Sequence, residues 1–438
     1  MGRKVFISFL GFSDYKPCKY QKGDFTSENV RFTQTATLDY LQTIEEWTEN
    51  DAAYFLLTKG AKESNWVDDA TKKREGLETI LKKKMYAFHT HSLENLPDGK
   101  DEKELFEIFK SIYSVLQHED ILYFDITHGF RSLPMLALVL VNYAKFLKNI
   151  EVRSITYGNF EARTNLGEET IAPIIDLLPL SQIQDWTFAT ADFLKNGNAD
   201  QYEELVKAYR KSVFTGYRVG DRKEAEALEK LTRSLRKVID DFQTCRGENI
   251  IRAKNMDSLQ SNIKELGMTV IEPLNPVLKK MEEAFGKFNS SSNCLNGFDA
   301  AKWCIEHNLY QQAATILQES VVTFFCEKYK MDIKKDSERK YVNMAFAFSY
   351  KLKNKETSET NKNKIRKEID ESEALKALME DELLKRQEVI DAFNKLTHER
   401  NDLNHNGMRE QPHASDVIKK NIRNAFEALL GQFKKEDF

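Results

Sequence analysis

The sequence predicts an α/β amino-terminal third, built on a mostly parallel sheet, followed by an all-α remainder. Three observations lead there. Apolar runs rich in Ile, Val, Leu and Phe end at Gly11, Thr58, Thr127 and Gly158, and stretches with apolar residues three or four apart lie between them. Such alternation calls for parallel strands with helices packed on both faces. After about residue 180 glycine becomes scarce and β-branched runs vanish, leaving one helical pattern after another. Finally, 438 residues at 41% hydrophobic and 31% charged are enough for two or three cored domains, and too apolar for wholesale disorder.

Taken in order, KVFISFLG (4–11) is the first strand, and residues 16–34 read as an inserted hairpin. TLDYLQTIEEW (37–47) presents Leu38, Leu41, Ile44 and Trp47 at helical spacing. AAYFLLT (52–58) and MYAFHTH (85–91) are the next strands. ELFEIFKSIYSVL (104–116) is a helix with Leu105, Ile108, Ile112 and Leu116 on one face. ILYFDIT (121–127) is a buried strand leading into the helix MLALVLVNYAKFLK, and VRSITYG (152–158) is a further strand. IAPIIDL (171–177) is expected as an edge strand. Helices follow over 185–195, 201–214, 224–242 and 258–268, and the Ser/Asn/Gly-rich stretch 286–297 reads as a linker. Beyond it come AAKWCIEHN, LYQQAATILQESVVTFFCEKY, a polar excursion over 351–367, a long helix from about Glu371 to Leu403, and a closing helix over about 414–433.

The formal net charge of −4 supplies no global basic field, so any nucleic-acid contact must be local. Five cysteines without a CxxC pair give neither a disulfide framework nor a zinc knuckle. Cys304 and His307, three apart on a helix, read as packing residues, and no metal site is expected. MGRKVFISFLGFS turns polar too soon for a signal peptide, and no run reaches the length of a membrane span. The expectation is a soluble cytoplasmic protein with no membrane partner.

The stretch DITHGFRSLP (125–134) joins a buried strand to a helix and collects a hydroxyl, an imidazole, a glycine and a guanidinium. In open parallel sheets ligands bind at this end of the strands. Gly129 lets the backbone approach a ligand closely, and the first free N–H groups of the helix can hold a phosphate. Arg131 adds a fork of donors, and Thr127 and His128 can meet a ribose hydroxyl or a base edge. FLGFSDY after the first strand and LLTKGA after the second put similar chemistry at two more strand ends. Three polar strand ends suit a ligand with several phosphates or riboses, though spacing alone does not name it.

DITHGFRSLP resembles the signature of the DxTHG-motif family of CRISPR-associated proteins, at Asp125, Thr127, His128 and Gly129. The similarity runs through FLGFSDYK, the Thr58 strand end, YGNFEA (157–162) and IAPIIDL…DWTFA (171–189), most of residues 1–190. The resemblance implies a Rossmann-like CARF domain, which senses cyclic oligoadenylates made by type III CRISPR complexes. Cyclic tetra-adenylate is the ligand to which that family most often answers, with cyclic hexa-adenylate the other possibility. The expected binding residues are Gly11, Phe12, Ser13, Asp14, Thr58, Asp125, Thr127, His128, Gly129, Phe130, Arg131, Ser132, Tyr157 and Gly158.

Near the carboxyl end, AFNKLTHERNDLNHNG places Arg400 and Asn401 ahead of His405. By itself the pattern also fits an ordinary helix end, where cations favour the negative pole of the dipole. The RN…H form resembles the catalytic motif of HEPN ribonucleases, and LYQQAATILQESVV resembles the first long helix of such domains. The resemblance implies an allosteric, metal-independent endoribonuclease acting on single-stranded RNA, with no cofactor. The RNA supplies its own 2′-hydroxyl. His405 would serve as general acid or base, Arg400 would clamp the scissile phosphate, and Asn401 would orient them. The products would be a 2′,3′-cyclic phosphate and a 5′-hydroxyl. HEPN sites form across dimer interfaces, so a homodimer or higher oligomer is expected. His398, two residues before Arg400, reads as structural, and Glu319 as a potential ion-pair partner of Arg400. The expected domains are a CARF sensor over 1–190, a helical connector over 191–295 and a HEPN domain over 296–438. The alternative reading is a cyclic oligoadenylate-binding regulator or ring nuclease without RNase output.

Overall fold

The computed structural model describes residues 2–129, 132–214, 222–266, 275–288 and 293–434. The chain divides into two compact units, Met1–Gln184 and Asp185–Phe438.

The first unit holds nine described strands: β1 Lys4–Leu10, β2 Lys19–Lys22, β3 Phe25–Thr26, β4 Ala52–Thr58, β5 His89–Leu96, β6 Ile121–Asp125, β7 Glu151–Gly158, β8 Thr164–Leu166 and β9 Glu169–Asp176. They form one sheet in the order β3-β2-β9-β7-β6-β1-β4-β5, with β8 on β9. β1 lies parallel between β4 and β6, β5 is parallel to β4, and β7 is parallel to β6. Helices α1 Thr33–Ile44, α2 Lys59–Ala61, α3 Leu77–Lys84, α4 Glu102–Val115 and α5 Leu133–Lys148 accompany these strands, and α6 Leu178–Asn196 follows β9.

Alternation along β1 explains the two-sided core. Val5, Ile7 and Phe9 pack with Ile108 and Ile112 of α4 and with Leu133, Ala137, Leu140 and Val141 of α5. Phe6 and Leu10 pack with Leu38 and Leu41 of α1, Trp66, and Leu77 and Leu81 of α3. Each such fully buried large side chain contributes about 1.5–3 kcal/mol.

The hairpin expected over 16–34 is present as β2 and β3, antiparallel in register Gln21–Thr26 and Lys22–Phe25. Two strand expectations are corrected. The third parallel strand runs over 89–96, because Met85 takes a left-handed conformation (φ 46°) that ends α3 and Phe88 is consumed in the core. The strand over 169–176 is internal, since β2 pairs with its other side and covers what would have been an edge.

The second unit contains α7 Asp200–Phe214, α8 Arg222–Gln243, α9 Gly247–Ile251, α10 Met256–Leu266, α11 Asn275–Phe285, α12 Leu295–Glu306, α13 Tyr310–Lys328, α14 Asp336–Lys353, α15 Glu359–Asp370, α16 Glu373–Met379, α17 Glu382–Lys385, α18 Gln387–Asn404 and α19 Ser415–Phe433. Residues from Trp186 to Phe433 share one hydrophobic core, with Phe242, Phe285, Phe298 and Phe325 in its interior. Two readings change here. The polar stretch 351–367 is largely helical, with Ser358 capping α15 through Asn361 N–H. The long helix expected from Glu371 is three, because Ser372 and Asp381 each accept a backbone N–H and restart the chain as caps. Of the expected linker, residues 289–292 lie outside the described residues, and α12 already begins at Leu295. No helix among the described residues is long and apolar enough to cross a membrane.

Candidate ligand cleft and candidate active site

In the first unit a cleft of about 400 Å³ opens beyond the carboxyl ends of β1, β4 and β6. Its walls include Gly11, Phe12, Ser13, Tyr15, Thr58, Leu96, Pro97, Thr127, His128, Gly129 and Leu133. The loop after β6 is rooted by hydrogen bonds. Asp125 is fully buried; its Oδ2 accepts from Ser8 Oγ at 2.7 Å, and its Oδ1 accepts from the Thr127 hydroxyl and, at 3.3 Å, from the Thr127 N–H. The Thr127 oxygen in turn accepts from Gly158 N–H at 2.8 Å. One carboxylate therefore ties together the ends of β1, β6 and β7. Burial raises the Asp125 pKa to about 6, with the Thr127 and Ser8 hydrogen bonds pulling the other way.

His128 turns into the cleft and stacks on Tyr15, centroids 4.2 Å apart. Its Nε2 is shut off from water and has no hydrogen-bond partner. Burial lowers its pKa to about 4, so it is a neutral imidazole at pH 7. Tyr15 Oη accepts from Gly11 N–H at 2.7 Å, and a Cβ at Gly11 would stand 2.6 Å from that oxygen. Gly129 has φ +142°, and a Cβ there would come within 2.2 Å of Leu133 Cδ1. Only glycine fits both constraints at that position. The loop after β1 is braced from below by Asn65, whose Nδ2 donates to Gly11 O and Ser13 O, both at 2.9 Å.

In the second unit, Arg400 on α18 reaches α13. Its Nη1 donates to Gln318 Oε1 at 3.1 Å and to Glu319 Oε1 at 3.3 Å. The other Glu319 oxygen takes Arg339 of α14. Arg400 Nε is buried without a partner, so the guanidinium is held in place with donor capacity in reserve. Asn401 and His405 are exposed; His405 closes α18 as its last cap, its N–H donating to Asn401 O at 3.0 Å.

Residues 5–161 match the family model described as CRISPR system endoribonuclease Csx1, CARF domain. The first unit is a CARF domain. A CRISPR-associated protein of Methanocaldococcus jannaschii is 26% identical over 239 residues, 53% of this chain. The chain spans about a third (34%) of that relative's length. The solved structure of Enterococcus italicus Csm6 bound to cyclic hexa-2′-fluoro-hexa-dAMP aligns over 100% of this chain and 96% of its own, at a TM-score of 0.45 and 12% identity. A likeness of that degree decides nothing about ligand or chemistry.

Of the residues expected to bind ligand, the CARF cleft gathers Gly11, Phe12, Ser13, Thr58, Thr127, His128 and Gly129. Asp125 lies beneath it with both oxygens engaged, and Gly158 supports Thr127. Thr58 also caps the short helix α2 through Ala61 N–H at 3.3 Å. Asp14 pairs with Arg74 at 2.7 Å and, with Ser132 and Tyr157, stands outside the lining. Phe130 and Arg131 lie outside the described residues. Sequence reasoning missed Tyr15, although it belongs to the quoted FLGFSDY, and missed the apolar wall of Leu96, Pro97 and Leu133. Among the described lining residues no side chain carries a positive charge, so on that surface an anionic ligand would depend on backbone N–H groups and hydroxyls.

Proposed function

We propose that this chain is a cyclic oligoadenylate-activated endoribonuclease of type III CRISPR defence. The observation that carries the reading is the CARF cleft, whose lip is the Thr127–His128–Gly129 turn. Its size and its apolar walls beside hydroxyls suit adenines and riboses, and exposed Phe12 offers a face for a base to stack on. The proposed ligand is cyclic tetra-adenylate or, failing that, cyclic hexa-adenylate, held by the residues named above. The proposed domains are a sensor over 1–190, a connector over 191–295 and a HEPN ribonuclease domain over 296–438.

In the proposed reaction the RNA 2′-hydroxyl attacks the adjacent phosphorus and the 5′-oxygen leaves. Arg400, already fixed by Gln318 and Glu319, stabilises the charge that builds on the phosphoryl oxygens. His405 moves the proton, and Asn401 orients one of the two. The ends formed are a 2′,3′-cyclic phosphate and a 5′-hydroxyl, and no step calls for a metal ion or a cofactor. The proposed functional state is a homodimer. Met135, Val139, Tyr143, Phe146 and Leu147 leave an apolar stripe exposed along α5, the kind of surface a second copy covers.

Cleavage of a fluorophore–quencher RNA in EDTA, with cyclic tri-, tetra- and hexa-adenylate added separately, tests this. Cleavage switched on by one ring size is the expected result. Binding of a ring without any RNA cleavage would overturn the RNase output and leave a ligand-binding regulator. Destruction of the bound ring by an Arg400→Ala variant, without RNA cleavage by the parent, would favour a ring nuclease; the unpartnered His128 Nε2 inside the cleft is the feature that suits it.

A further inference from the structure

The loop between α18 and α19 folds back onto the helix just ahead of Arg400, and brings His413 to His398 and Glu399. One ligand atom from each of the three lies within 4.8 Å of the others. Glu399 has no exposure, and its Oε1 accepts from His413 Nδ1 at 2.8 Å and from Asn421 Nδ2 of α19 at 2.7 Å. His398 Nδ1 stands 3.9 Å from the same oxygen. One turn along, Asp402 is also buried; its Oδ2 accepts from His413 N–H at 3.0 Å, while its Oδ1 has no partner. Two carboxylates are thus buried within one helical turn, one with an oxygen unsatisfied. Burying such charge is costly unless positive charge compensates it.

We propose that His398, Glu399 and His413 bind one divalent transition metal of the zinc class, with the unpartnered Asp402 oxygen as a further or water-bridged ligand. Two imidazoles and a carboxylate are the donor set of zinc, cobalt or nickel, whereas magnesium and calcium call for oxygen throughout. Metal–ligand bonds of about 2.0–2.2 Å require neighbouring ligand atoms roughly 3.3 Å apart, so His398 moves inward, while His413 gives up to solvent the Nδ1 proton it now donates to Glu399 and backs off from 2.8 Å. Arg409 now donates to His398 Nε2 at 2.9 Å and to His398 O at 3.3 Å. Metal on Nδ1 leaves the proton on Nε2, where it faces an N–H of Arg409, so loading the site breaks that one hydrogen bond and leaves the bond from Arg409 to His398 O. The ion would fasten the loop that begins at His405 to the body of α18 and α19. It takes no part in the proposed cleavage chemistry, and the inference stands or falls apart from it.

The test uses the full chain, stripped with a chelator and titrated with Co²⁺, read by visible absorption and by metal content after dialysis. One Co²⁺ per chain, with visible bands displaced by Zn²⁺, is expected. His398→Ala and His413→Ala should each weaken uptake at least about 30-fold, and Asp402→Asn by less. Should His413→Ala fail to fold, His398→Ala carries the test, because that side chain is 40% exposed and its loss leaves Glu399 paired. A His89→Ala, His91→Ala double variant, which removes the imidazole pair on β5 of the first unit, should bind as the parent does. No stoichiometric uptake, uptake unchanged in both single-histidine variants, or uptake lost in the β5 double variant would each overturn the proposal.

Discussion

The Tyr15 ring lies against the His128 imidazole, centroids 4.2 Å apart and planes 25° from parallel. The contact joins the loop after β1 to the loop after β6 across the mouth of the cleft. Replacing Tyr15 by Ala removes both the stack and the acceptor for Gly11 N–H. Those losses amount to about 1–2 kcal/mol, so the activator concentration for half-maximal RNA cleavage should rise roughly tenfold. Tyr15→Phe keeps the stack and should shift it by only a few-fold. An unmoved dose response for Tyr15→Ala would dismiss the pair from ligand recognition.

Gly129→Ala forces a Cβ onto Leu133 at a φ that side chains rarely adopt. Activator affinity, followed by isothermal titration, should fall at least about tenfold. Wild-type affinity would mean that the turn is not the ligand's seat.

The proposed RNase reading makes three claims about the end of α18. His405→Ala should abolish cleavage while activator binding persists. Arg400→Lys should recover little, because a point charge cannot replace a forked donor. Glu319→Gln, which loosens Arg400 and Arg339 together, should lower kcat by about 10-fold or more with the activator dose response unchanged. Single-turnover cleavage at saturating activator separates these outcomes, and full activity in His405→Ala would remove the HEPN assignment.

Asp125 and His128 impose opposite pH dependences on the same loop. The Asp125 pKa is raised to about 6 in the folded protein, so its contribution to stability is whole below about 4 and is lost as pH rises to 6. The His128 pKa is lowered to about 4, so its contribution is present above about 6.5 and is lost as pH falls toward 4. In the wild type the two largely offset each other over pH 4–6. Amide-exchange protection of β1 and β6 should therefore rise with pH in Asp125→Asn and fall with pH in His128→Gln. Parallel slopes in the two variants would contradict both shifts.

The exposed stripe on α5 supplies a final expectation. Phe146 is 88% exposed, so Phe146→Glu should leave the fold intact. Light scattering should then report a shift from dimer toward monomer, together with loss of activated cleavage. An unchanged mass would count against α5 as the contact of the proposed homodimer.

Much of the first unit was legible because its central strands are buried on both sides and therefore read as continuous apolar runs. β5 was misplaced because its polar, exposed segment HTHSLENL carries no such signal. β9 looked like an edge because its partner β2 lies in the insertion, about 150 residues earlier in the chain. The polar lip of the cleft could be found from strand ends alone. Its apolar wall could not, because Leu96 and Leu133 meet His128 only once the strands are ordered side by side. In the second unit the helical periodicity was plain, but Ser372 and Asp381 break it by offering side-chain oxygens to the backbone, a choice that depends on the turn each finds itself in. The convergence of His398, Glu399 and His413 depends on a loop reversing direction, and sequence separation hides it.

The chain of contacts from Ser8 through Asp125 and Thr127 to Gly158 has a mechanical corollary. It welds three neighbouring strand ends into one plate directly beneath the cleft. The turn that carries His128 and Gly129 thus stands on an abutment of three strand ends held in fixed register with one another.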